Sequence, residues 1–181
     1  MTRSVSAAPV FVGNPADQVP RELVALDTAV AAAPDDPDAR RRRAEALMAL
    51  HRYADAERDL RHGLRFAESD VPSLAALGGV LSRSGRWRDA LGPLQRAIEL
   101  APDHGLAHYY LGEVYNQLDQ LSAALGAYET AARLLPDGWR AYKGAGHVLD
   151  RMGRPAEAAV AHRKARDSQR PDAPRPPALR R

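Results

Sequence analysis

The chain has 181 residues, no cysteine, 45% hydrophobic and 27% charged residues, and a formal charge of +3. That size and balance suit one ordinary globular domain, and the lack of cysteine excludes disulfides, thiolate metal sites and thiol catalysis. No stretch reaches the roughly 18 apolar residues of a membrane span, and the N-terminus has no signal-peptide core. The few excess positive charges are interleaved with acids, which argues against nucleic acid as a partner, and a cytoplasmic location is the expectation.

In chain order, residues 1–19 are expected to be extended or disordered, because Pro9 and Pro15 oppose a regular helix there. Within them Val10, Phe11 and Val12 form a short apolar run. Residues 20–36 are predicted to hold one unpaired helix, from about Pro20 to Ala33, with Leu23, Leu26 and Val30 as its apolar stripe. That stripe needs a cover, and either the 10–12 run folding back or an end-to-end homodimer would supply it.

From residue 37 the sequence repeats with a period of 34. Gly78, Gly112 and Gly146 form one column, Ala56, Ala90, Ala124 and Ala158 a second, and Gly63, Ala97, Ala131 and Ala165 a third. Leu47, Leu81, Tyr115 and Leu149 keep step, as do Leu60, Leu94 and Tyr128 in a column that ends in His162. Pro34, Pro102 and Pro136 share a register in which Glu68 and Arg170 also stand. Four units result, at 37–70, 71–104, 105–138 and 139–170.

Each unit reads as two amphipathic helices. In the second, Leu74, Leu77, Gly78 and Leu81 lie at helical steps, and Ala90, Leu94, Ala97, Ile98 and Ala101 form a second stripe. Gly85 between them is suited to the positive φ that closes a helix, and Pro102 ends the second helix. The small residues at Gly78 and Ala90 are predicted to lie where the two helices cross, since bulk there would push the axes beyond about 8 to 10 Å.

This pattern of small residues, large apolar residues and a closing proline resembles the tetratricopeptide repeat. The resemblance covers most of the chain and implies an all-α, right-handed superhelical solenoid. It further implies that the first helix of each unit lines a concave face where a protein or peptide partner docks. Some co-chaperones with this repeat grip a terminal carboxylate, but Glu45, Ala76 and Tyr110 depart from that clamp.

The first unit departs from its own columns too, with Arg40 and Arg43 where other units carry leucine, and Asp35, Asp36 and Asp38 as the expected neutralising acids. In the last unit the outward columns turn polar, at His162, Arg166 and Ser168, as a terminal repeat requires. The array is therefore expected to end near residue 170, with 171–181 a disordered proline- and arginine-rich tail.

No catalytic constellation stands out, and no cofactor or phosphate-binding loop is expected. His104 and His108 have the i, i+4 spacing of a helical metal pair but lack further ligands. The function expected is a non-catalytic adaptor or assembly factor; a chaperone for an exported or membrane client and a regulatory subunit of a separate enzyme are the alternatives. Candidate partner-binding residues on the concave stripe are Arg41 and Glu45, then Ala75, Gly79 and Arg83, then Tyr109, Glu113 and Asn116, then Lys143 and His147. Among them Tyr109, beside the small Ala75 and Gly79, is the expected anchor in a shallow depression.

Overall fold

The computed structural model describes residues 15–135 and 138–169. The 10–12 run, Pro136 and the tail lie outside the described residues. The elements are α1 (Pro15–Ala32), α2 (Pro37–Ala49), α3 (Tyr53–Leu64), α4 (Val71–Arg83), α5 (Trp87–Leu100), α6 (Gly105–Gln117), α7 (Leu121–Leu134), α8 (Trp139–Arg151) and α9 (Pro155–Ser168), with no strand among the described residues. The first helix begins at Pro15 and not at 20, because proline is well placed in a first helical turn, where no backbone donor is needed.

The repeat is legible in the way its helices start and stop. A side chain in one column caps the first helix of three successive units: Asp36 accepts from the Asp38 amide, Asp70 from that of Ser73, and His104 Nδ1 from that of Ala107. At the other end His51, Gly85, Asp119 and Gly153 all take positive φ, at 58°, 78°, 61° and 71°. The next amide then reaches back into the last turn at 2.9 Å each time: Arg52 to Leu47, Arg86 to Leu81, Gln120 to Tyr115 and Arg154 to Leu149. Sequence alone pointed to this left-handed closure only at Gly85.

Packing follows the columns. A Cβ on Gly78 would lie 2.3 Å from Leu94 Cγ, on Gly112 2.7 Å from Tyr128 Cδ1, and on Gly146 2.5 Å from His162 Cε1. Each glycine thus receives the large side chain of the paired helix, beside the buried Ala90, Ala124 or Ala158. The helices α2, α4, α6 and α8 touch one another in series, whereas α3, α5, α7 and α9 touch only first helices among the described residues. The first helices therefore form the inner layer of a solenoid.

The first unit is held differently. Arg40 Nη1 lies 2.9 Å from Asp59 Oδ1, Arg43 Nη2 lies 2.6 Å from the same oxygen, and Arg43 also reaches Asp27 of α1 at 3.1 Å. Asp59, 3% exposed, stands in the column that reads Pro93, Ala127 and Ala161 elsewhere. The acids expected to do this have other work: Asp36 caps α2, Asp38 pairs with Arg41, and Asp35 meets His62. Leu23, Leu26 and Val30 of α1 are buried, the first two in the cluster that holds Ala44 and Leu47.

Candidate functional site

The concave candidates of the first three units fall into three groups. The first is occupied with intrachain contacts. Arg41 is paired with Asp38 and, at 2.7 Å, with Glu45 on its own helix. Tyr109 donates its hydroxyl to Glu113 at 2.7 Å, with its ring centroid 5.5 Å from that of Tyr110 and 6.0 Å from that of Tyr128. Burial above all, then the Glu113 carboxylate, pushes the Tyr109 phenol well above its ordinary range, so it remains a donor.

The second group lies beneath the surface. Ala75 is 2% exposed and Gly79 is buried. The depression expected beside Tyr109 is filled, because a Cβ on Gly79 would lie 2.7 Å from Cζ of Tyr110. Gly79 is small to admit that ring and not to leave room for a ligand. On a helix a one-residue step turns about 100°, and it is Tyr110, not Tyr109, that points at α4.

The third group borders open space. A cleft of about 260 Å³ lies between the second and third units, lined by Ser82, Arg83, Trp87, Glu113, Asn116, Gln117 and Tyr128. It joins Arg83, Glu113 and Asn116 of the expected set and adds an exposed indole, Trp87, at the start of α5. A second hollow of about 610 Å³, lined from Gly85 to Asp89 and from Gln117 to Asp119, shares Trp87 and Gln117 with the first. One rim of the cleft is fixed by Arg151, which donates to the Asn116 backbone carbonyl at 2.8 Å, to its side-chain oxygen, and to Asp119 at 2.7 Å. With its carbonyl so held, the Asn116 amide NH₂ is left as a donor.

Lys143 and His147 are exposed on α8, and the His147 ring meets that of His162 edge-on with centroids 5.2 Å apart. The suspected pair of His104 and His108 is engaged otherwise: His104 caps α6, and His108 Nε2 is 2.9 Å from the Pro102 carbonyl oxygen. Nothing in the sequence sets Trp87 apart, because its column reads Tyr53, Leu121 and Pro155, residues of ordinary packing.

The family model for the tetratricopeptide repeat matches residues 24–68 and 76–138. The chain belongs to the tetratricopeptide-repeat family. Its repeats continue past the matched span, since α8 and α9 form a fourth hairpin of the same kind. This repeat protein is similar in fold to TTC0263, a thermophilic protein of the family from Thermus thermophilus, with a TM-score of 0.76, 20% identity, and 87% of this chain and 86% of that one covered. It also resembles MamA from Desulfovibrio magneticus RS-1, with a TM-score of 0.70, 22% identity, and 86% and 88% covered. A third likeness is to YrrB, described as a member with an unusual peptide-binding site, with a TM-score of 0.63, 24% identity, and 87% and 80% covered. No curated protein matches the repeat protein in sequence.

Proposed function

We propose that this protein is a non-catalytic adaptor that holds a peptide segment of a protein partner in the cleft between its second and third units. The observation that carries this reading is the cleft itself, where an exposed indole, Trp87, stands among Arg83, Glu113, Asn116 and Gln117. An aromatic anchor ringed by hydrogen-bonding groups of both charge signs is the composition that gives interfaces their energy and their orientation. The peptide-binding site named for YrrB supports the same reading by likeness of fold. Arg41 and Glu45 on one side, and Lys143 and His147 on the other, extend the polar wall along the inner helices.

Short peptides selected by display against the intact protein test this. Their binding should change Trp87 fluorescence in a Trp139→Phe background, and Trp87→Ala should weaken it by about 2 kcal/mol or more, roughly thirtyfold. Arg83→Glu should reorder the charge preference of the selected peptides. Circular dichroism of each variant shows whether the helices persist. Peptides that bind Trp87→Ala and Arg83→Glu as they bind the parent would move the site off this cleft.

A further inference from the structure

In the last unit, the nearest ligand atoms of His147, Asp150 and His162 all lie within 4.8 Å of one another. The three positions stand 34 residues after Glu113, Asn116 and Tyr128, which line the cleft of the third unit. The same repeat geometry therefore gathers a different set of side chains: an acid, an amide and a phenol in one unit, two imidazoles and a carboxylate in the next. His147 and Asp150 share a face of α8 at i, i+3 spacing, and His162 comes across from α9.

The packed member of the set is His162. It occupies the column of Leu60, Leu94 and Tyr128, and its ring is seated on Gly146, where a Cβ would come within 2.5 Å of Cε1. Its Nε2 lies 3.0 Å from Asp150 Oδ2, and the His147 ring stands edge-on at 69°. The imidazoles of His104 and His108, by contrast, are committed to a helix cap and a backbone carbonyl.

We propose that His147, Asp150 and His162 form a binding site for a divalent transition metal of the zinc class. Two imidazoles and one carboxylate are a borderline-soft set that suits zinc, nickel or copper. One carboxylate supplies too few oxygens for calcium or magnesium. Ligands about 2.0 to 2.1 Å from a tetrahedral ion stand roughly 3.3 Å from one another. Drawing the set in to that spacing needs only side-chain rotation of the exposed His147 and Asp150, while His162 keeps its seat on Gly146. Three protein ligands leave a coordination position for water or for a donor atom from a partner. The ion would also staple α8 to α9 and so stabilise the terminal hairpin. The metal site shares no residue with the lining of the peptide cleft, although His147 also belongs to the polar wall beside it, and either can fail without the other.

The test uses the full chain without an affinity tag, dialysed against a chelator, freed of it, and titrated with zinc chloride in a calorimeter. One equivalent of zinc should bind, with a rise in melting temperature. His147→Ala and Asp150→Ala, both at exposed positions that leave the packing alone, should each weaken binding about tenfold or more. His108→Ala should leave it unchanged. With copper(II), electron paramagnetic resonance should report two equatorial nitrogens, falling to one in His147→Ala. No zinc binding by the parent would overturn the site, as would affinity that survives both exposed variants or is lost with His108→Ala.

Discussion

In α4 every residue from Ser73 to Ser82 is buried, whereas α2 buries only Ala39, Ala44, Ala46 and Leu47 and places arginines at positions 40 and 43. The hairpins are otherwise alike in cap and turn. In the second unit Leu74 and Leu77 fill the space between helices, and in the first Arg40 and Arg43 fill it by closing on Asp59. Apolar packing tolerates imperfect direction, while a buried carboxylate between two guanidiniums stabilises only as a complete set, because each charge has given up water. The first unit is thus built to be all present or badly broken.

The largest expected effect comes from breaking that set. Asp59→Ala should lower unfolding free energy by about 3 to 5 kcal/mol in chemical denaturation, since the Arg40 guanidinium loses its counter-charge and Arg43 keeps only the exposed Asp27. The triple variant Arg40→Leu, Arg43→Leu, Asp59→Ala copies residues found in the same columns of other units, Leu74, Leu111 and Ala127. It should return to within about 1 kcal/mol of the parent, or exceed it. A triple variant as unstable as the single one would mean that the two hairpins are not interchangeable scaffolds.

A smaller effect sharpens the comparison within the third unit. Gly112→Ala should cost about 1 to 3 kcal/mol, because its Cβ would press on the buried Tyr128 ring at 2.7 Å. Gly126→Ala, on the outer face of α7 with nothing within 4 Å, should instead gain up to about 1 kcal/mol from helix propensity. Thermal melts of the pair should move in opposite directions.

The smallest effect separates the caps. Asp36 and Asp70 cap α2 and α4, but His104 caps α6, and burial first of all holds its pKa below the ordinary value of 6.5. Because the folded pKa lies below the unfolded one, the neutral cap contributes fully above 6.5 and is lost as pH falls through the folded value. Between about pH 7.5 and 5, the melting temperature of His104→Asp should therefore fall less than that of the parent. Parallel curves would show that the imidazole titrates alike in both states.

The period of 34 made the hairpins and their glycine crossings legible, since Gly78, Gly112 and Gly146 meet the large residues of one column. Features set by one residue were not legible. Asp59 is the one charged residue in its column, and nothing in a linear pattern shows that two arginines from the preceding helix converge on it. Tyr109 and Tyr110 are adjacent, so a small error in helix phase exchanges the ring that packs on Gly79 for the one that turns to Glu113 and Tyr128. The cleft lies between units, where Trp87 and Gln117 meet only after stacking, and periodicity within a unit carries no information about that distance.

The chain of contacts from α1 to α9, in which no helix touches another more than two places away among the described residues, has a kinetic consequence. No step of folding has to close a long loop, so the usual entropic barrier to distant pairing is absent. Growth can begin at the best-packed pair, α6 with α7, and spread outward one hairpin at a time. The ionic hairpin at one end must desolvate Arg40, Arg43 and Asp59 together to gain its strength, which makes it a late joiner and an early leaver.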